Sequence, residues 1–156
     1  MSVKIADIFY KAFQKRDFKT MQSLYAPEAT FSDAAFQNLN GKEVRAMWQM
    51  LLTNAKDGFA LDYHVLQETD TKATIMWVAT YTFSKTNRKV VNKIKAEWVI
   101  ENGLIKNHID TFNFHTWAKQ ALGTIGLLLG WTSFLKNKVR TEARKNLSNF
   151  IQKNNL

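Results

Sequence analysis

The chain contains no cysteine, which removes disulfide frameworks, thiolate nucleophiles, cysteine-ligated zinc and iron–sulfur centres while leaving the redox compartment open. Histidine is also scarce. His64, His108 and His115 are the only strong transition-metal ligands, and no spacing among them and the acids matches a metal motif. No apolar run is long enough to span a bilayer: Ala121 to Trp131 is far shorter than the ~20 residues required and is broken by Gly123, Gly126 and Gly130. The first residues, Met1 to Asp7, include an acid and lead into no apolar run with a small-residue cleavage site, so a cytoplasmic protein is the expectation, by elimination. Phosphate-binding glycine motifs are missing, since Gly123-Thr124-Ile125-Gly126 lies in an apolar bend without a preceding βαβ pattern. Acidic residues are few, 13 against 22 Lys plus Arg, for a formal charge of +9.

What is present is enough for one folded domain. The 156 residues are 46% apolar, which fills a core at this size without metals or disulfides. Ile5, Ile8, Phe9, Ala12 and Phe13 recur at helical spacing. Asp17 can cap a second short helix bearing Phe18, Met21, Leu24 and Tyr25, with Pro27 marking its end. Thr30 to Asp33 reads as a short extended segment, and Asn40-Gly41 precedes a helix carrying Val44, Met47, Trp48, Leu51 and Leu52.

From Phe59 the period changes to two. Four extended runs follow, Phe59 to Val65, Ala73 to Ser84, Lys89 to Ile100 and Leu104 to Phe114, joined by turns at Glu68–Asp70, Asn87 and Asn102-Gly103. In the second run Ile75, Trp77, Ala79, Tyr81 and Phe83 share a face. Helices first and an antiparallel meander later define an α+β class. A Gly-spaced bend then leads to a basic helix whose apolar stripe is Trp131, Phe134, Leu135, Val139, Ala143, Leu147, Phe150 and Ile151.

The segment Phe9 to Phe36, FYKAFQKRDFKTMQSLYAPEATFSDAAF, resembles the opening shared by ketosteroid isomerase, SnoaL-type polyketide cyclases and SnoaL-like proteins. The stretch Ile94 to Gly130 is similar to the end of a SnoaL-like core followed by an extension. The resemblance implies an NTF2-like cone, with N-terminal helices packed in a strongly curved antiparallel sheet and an added C-terminal helical extension. The core would span residues 1–116, and residues 117–156 would pack on the same domain or on a partner. It further implies a conical apolar pocket lined by Phe9, Phe13, Phe31, Trp48 and Phe112, a small lipophilic ligand, no organic cofactor, and a homodimer formed through the outer face of the sheet.

By the same resemblance Asp33 falls on the catalytic base of ketosteroid isomerase, where burial in an apolar pocket would raise its pKa. The alternative is that Asp33 caps the following turn. The oxyanion-binding Tyr of that enzyme falls on Phe9, which cannot donate a hydrogen bond, and Tyr10 is expected to point about 100 degrees away on the helix. The isomerase's second Asp falls near Lys95, a charge stabiliser if its ammonium faces the cavity and a solvated lysine otherwise. The cyclase Asp falls at Asn113, ahead of Gln120-Ala121-Leu122-Gly123.

Period two places His108 and Asp110 on one face of the last strand, an acid/base pair or a buried polar pair satisfied by Tyr81 or Trp98. His64 reads as half-exposed and His115 as packing on the next helix. The resulting expectation is acid/base chemistry of isomerase, cyclase or hydrolase type on a carbonyl compound, carried by Asp110, His108, Asp33 and Lys95. The alternative is a non-enzymatic ligand-binding or interaction protein. Nucleic acid is not an expected partner, because most aromatics sit at core positions. Membrane contact through the stripe of the basic C-terminal helix ranks below packing of that stripe.

Overall fold

The computed structural model describes residues 4–156; residues 1–3, part of the segment read above for a leader, lie outside the described residues. Helix α1 (Ile5–Gln14) buries Ile5, Ala6, Phe9, Tyr10, Ala12 and Phe13. Its free amino-terminal N–H groups find an acceptor far along the chain: Ile5 N and Ala6 N donate to the Glu68 carboxylate at 2.9 and 3.0 Å. An anion at that position also opposes the helix dipole. Helix α2 (Phe18–Ser23) is capped by Asp17, which accepts from Thr20 N at 3.2 Å.

Strand β1 (Tyr25–Ser32) begins earlier than the sequence suggested and runs through Pro27. It is an edge strand of the sheet, bridged on its free side only at Phe31, to Leu39, among the described residues, so the absent N–H of Pro27 removes no second ladder bond. Helix α3 (Gly41–Thr53) starts with a capping box between Asn40 and Glu43. Glycine is required at its first position, because a Cβ on Gly41 would meet the Pro27 carbonyl oxygen at 2.2 Å. That close approach sets α3 against β1.

Strands β2 (Ala60–Glu68), β3 (Lys72–Phe83), β4 (Arg88–Glu101) and β5 (Leu104–Thr111) follow, with Asn87, Asn102 and Gly103 at positive φ in the tight turns. The sheet order is β1-β5-β4-β3-β2, and β1 runs parallel to β5 while the other pairs are antiparallel. The strongly curved sheet expected from the resemblance is corrected by this topology. The sheet is open, with β1 and β2 as separate edges. Its two longest strands, β3 and β4, pair from Lys72↔Val99 to Phe83↔Arg88 without a register break, while the other three pairs each carry one register shift.

The chain closes with α4 (Phe114–Leu122), α5 (Thr124–Leu129) and α6 (Ser133–Lys153). These pack on the chain's own core. Leu135 joins a cluster with Val90, Phe114, Trp117, Ala118 and Ala121, while Leu147 enters the main core and Phe150 and Ile151 pack against it. Arg144 pairs with Glu43 of α3 at 2.6 Å. The inner stripe of α6 is thus occupied from Leu135 onward, whereas Trp131 and Phe134 stand exposed. Among the described residues no helix is long and apolar enough to cross a membrane.

Truncating Leu147 to Ala is expected to lower the unfolding free energy by about 2–5 kcal/mol, the usual range for emptying a buried leucine site. Urea denaturation checks this, and a loss below about 0.5 kcal/mol, typical of a surface position, would contradict the packing of α6 on the core.

Candidate functional site

The inner face of the sheet is written in the alternation of its strands. On β4, Val90, Asn92, Ile94, Ala96 and Trp98 are buried while Val91, Lys93, Lys95, Glu97 and Val99 are exposed. On β5 the inward positions are His108 and Asp110. His108 is fully buried and Asp110 nearly so, and burying such groups is tolerated only when hydrogen bonds satisfy them.

The required bonds form a chain through four elements. Trp48 Nε1 of α3 donates to Tyr25 Oη of β1 at 2.9 Å, and Tyr25 Oη lies 2.7 Å from His108 Nδ1. His108 Nε2 lies 2.8 Å from Asp110 Oδ1, which also receives a longer bond, 3.4 Å, from Trp77 Nε1 of β3. An indole can only donate, so Trp48 fills a lone pair of Tyr25 and leaves the phenol proton for His108 Nδ1. An accepting Nδ1 puts the imidazole proton on Nε2, aimed at Asp110. The network therefore selects the Nε2–H tautomer.

Asp33 ends the same layer. In the β1–β5 ladder Phe31 is level with His108 and Ser32 with Ile109; β1 ends there, and Asp33 follows in the turn, near enough to Asp110 for that charge to act on it. Asp33 Oδ1 accepts from Ala35 N and Phe36 N at 2.7 and 2.6 Å, so it caps its own turn and also neighbours the inner carboxylate. Asp33 keeps part of its surface toward solvent, and the burial of the remainder pushes its pKa up to about 7; the backbone donors oppose this, the nearby charge of Asp110 adds to it, and Arg140 opposes it. Arg140 of α6 holds this turn directly, donating from Nε to the Ala34 carbonyl at 3.0 Å.

The other expected site residues separate into two groups. Phe9, Phe13, Phe31 and Trp48 are buried and packed on one another and on His108, with ring centroids of 6.1 Å for Phe9–His108, 4.8 Å for Phe31–His108 and 6.2 Å for Trp48–His108. Phe112 is half-buried between the two apolar clusters. Lys95 is not brought to this layer: it stands on the outer face, 3.4 Å from Glu97. An ungapped match placed it near the site, but strand parity sends it to the other side of the sheet.

Phe9, Phe13, Phe31 and Trp48, the expected pocket lining, thus meet one another at the inner face. The two marked depressions lie on the surface. One of about 590 Å³ is lined by Arg88, Lys89, Thr116, Lys119 and Gln120, and one of about 420 Å³ includes Asp7, Tyr63 and His64.

Several residues of the network were not anticipated. The polar partners of His108 and Asp110 are Tyr25 and Trp77, rather than Tyr81 or Trp98. Tyr10 is turned inward as well, fully buried and stacked on Trp98 at 5.9 Å. Its phenol is raised well above the ordinary value by burial first, then by Asp110 and Tyr25. Among the described residues Tyr10 Oη and Trp98 Nε1 are buried without hydrogen-bond partners. Asn113 takes a structural role, accepting from Thr116 N at 3.0 Å as the cap of α4. His64 is exposed, and His115 Nε2 meets the Leu127 carbonyl at 3.0 Å. Among the described residues no group of three or more His, Asp or Glu is placed to share a metal ion.

With this geometry in hand, the family follows. Residues 6–108 match the SnoaL-like domain, and the chain belongs to that family, within the NTF2-like superfamily that includes ketosteroid isomerase-like and polyketide cyclase-like proteins. A candidate polyketide cyclase from Pseudomonas putida is 16% identical, with a TM-score of 0.66, over 78% of this chain and 98% of its own. A ketosteroid isomerase-like protein from Catenulispora acidiphila, solved in complex with trimethylamine, is 14% identical with a TM-score of 0.63, over 78% of this chain and 94% of its own. An LEH-like epoxide hydrolase of M. tuberculosis is 13% identical with a TM-score of 0.57, over 80% and 92% of the two chains. At these identities the likeness establishes the fold. No curated protein matches the sequence.

Because the Asp33 pKa is raised in the folded state, the folded chain holds a proton that the unfolded chain has lost between about pH 4 and about pH 7. Its contribution to stability is present below that window and is lost as the pH rises through it. Asp33→Asn keeps the acceptor for Ala35 and Phe36 but cannot titrate. The difference in unfolding free energy between the variant and the parent should therefore grow in the variant's favour by up to about 1.4 kcal/mol per pH unit across the window. Denaturation curves at several pH values measure it, and a flat difference would contradict the assignment.

Proposed function

We propose that this chain binds a small lipophilic molecule bearing a carbonyl or similar oxygen against the inner face of the sheet, and that Asp110 and Asp33 perform acid/base chemistry on it. One observation carries this reading. A carboxylate held by an imidazole neighbours a second carboxyl, just past the end of β1, whose pKa is near neutrality, beside an aromatic surround. Neighbouring carboxyls in unlike environments divide acid and base roles between them.

In this scheme Asp110 is the base. Both hydrogen bonds it receives fall on Oδ1, which leaves Oδ2 as the atom that meets the ligand. Asp33, protonated over part of the neutral range, is the acid. His108 is a positioning residue: its Nε2 proton fixes the Asp110 carboxylate, and Tyr25 fixes the imidazole. Tyr10 Oη and Trp98 Nε1 are donors available to a ligand oxygen. The trimethylamine complex of the Catenulispora acidiphila protein supports small-molecule binding in this fold. Entry would pass the Asp33–Phe36 turn that Arg140 holds. Exposed Met76, Val91, Val99 and Ile109 on the outer face of the sheet support homodimerisation there.

A second reading has its own support. The aromatic rings already fill the interior and His108 is wholly buried, as expected of a polar network that only specifies packing. Titration of intrinsic tryptophan fluorescence with a panel of cyclic enones, beginning with cyclohexenone, separates the two. The proposal predicts saturable binding that Asp110→Asn largely retains, together with exchange of the acidic C–H protons of the bound enone with deuterated water that the variant slows about a hundredfold or more, since it keeps an acceptor for His108 but cannot take a proton. Absence of saturation across the panel, or proton exchange unaffected by the variant, favours the packing role.

A further inference from the structure

The most exposed large apolar side chains are concentrated in one short stretch. Ile125, Leu127, Leu128 and Leu129 of α5, with Trp131 and Phe134 at the corner leading into α6, are 41 to 74% exposed. Isolated apolar side chains on a surface need no explanation, but six within ten residues form a contiguous apolar tip.

The tip is held outward by its own backbone. A Cβ on Gly126 would fall 1.8 Å from the Ala118 carbonyl oxygen, and one on Gly130 would fall 2.3 Å from the Gly126 oxygen and 2.7 Å from the His115 ring. Only glycine allows α5 to lie so close to α4. With the glycine side facing down, the leucines project away from the protein. His115 Nε2 at the Leu127 carbonyl, 3.0 Å, and Trp131 Nε1 donating to the Leu128 carbonyl, 3.0 Å, fix the arrangement further.

The surroundings of the tip carry one sign of charge. From Thr111 to Thr141 the sequence has no acidic residue, while Lys119, Lys136, Lys138 and Arg140 lie within it. The depression lined by Arg88, Lys89 and Lys119 abuts the start of α5, with the Arg88 guanidinium 3.3 Å from the Cβ position of Gly123. Along α6, Phe134, Lys138, Thr141 and Lys145 follow helical spacing and are all exposed, so the outer face passes from the apolar tip into a basic flank. The inner stripe of α6 is used against the core and is not available for docking.

We propose that this tip docks the protein on an anionic membrane surface, with the α5 leucines and Phe134 entering the acyl boundary and Trp131 resting at the headgroup level. Lys119, Lys138, Arg88 and Lys89 meet the anionic headgroups. Apolar burial and charge attraction then act together, as stable surface attachment requires. Charge decides against a second copy of the chain as the occupant, because two such tips would bring their basic rims together. The inference does not depend on the chemistry proposed for Asp110, since the tip lies outside that layer.

The test is co-sedimentation of the full chain with phosphatidylcholine vesicles prepared with or without phosphatidylserine. Binding should require the anionic lipid, fall by roughly tenfold or more in the double variant Leu128→Gln/Trp131→Gln, and weaken as salt is raised. Both substituted side chains are exposed, and circular dichroism verifies that the variant is folded. A charge reversal, Lys138→Glu, should weaken binding while leaving the apolar tip intact. No binding to anionic vesicles overturns the proposal, as does binding unaffected by the double variant. A dimer in sedimentation equilibrium that the double variant dissociates, without vesicle binding, would assign the tip to self-association and also overturn it.

Discussion

A carboxylate taken out of water must be met by hydrogen-bond donors, or the surrounding fold is destabilised. Asp110 imposes that constraint on this chain. Its donors are His108 and Trp77, and the orientation of His108 depends on Tyr25, which in turn depends on Trp48. The linked groups come from α3, β1, β3 and β5. Satisfying one carboxylate thus fixes the helix against the sheet and the parallel edge strand against its neighbour. The buried aromatic rings around the network exclude water and strengthen each of these bonds.

The same constraint leaves the interior densely aromatic. In a SnoaL-like frame the inner face of the sheet is the natural place for a ligand, yet here Phe9, Tyr10, Phe13, Phe31 and Trp48 meet one another there. The C-terminal helices add a second apolar cluster beyond Asp33 and Phe112. Polar chemistry is consequently confined to a thin layer between two greasy clusters, with Arg140 of α6 gripping the turn that borders it. The helix that covers this layer also follows directly from the apolar tip of α5. Its inner stripe serves the core, and its outer face is largely basic.

Much of this was legible from periodicity. The inward face of β3 follows from the alternation of Ile75, Trp77 and Ala79, and the shared face of His108 and Asp110 follows from their spacing of two. Asp17 as a cap was readable from its position before Phe18. The parity of β4 also contained the answer for Lys95, since Ile94 and Ala96 on either side of it face the core and put it outward. Tyr25 and Trp77 could not be paired with His108 and Asp110 from sequence, because they lie 83 and 33 residues away and meet only through sheet register. Tyr10 was expected to point away from the site, but a helix laid across an apolar face can bury two adjacent side chains. The openness of the sheet likewise follows from the strand order, in which β1 and β2 form separate edges, and no single strand reveals that.

The central claim is that the buried network holds the His108 imidazole with its proton on Nε2, directed at Asp110. Nitrogen-15 NMR of the imidazole side chains reads that proton directly. The account predicts that His108 gives a protonated Nε2 and an unprotonated Nδ1, with slow exchange of the Nε2 proton with solvent. A proton on Nδ1 alone, or an imidazole proton exchanging as freely as that of exposed His64, would contradict it.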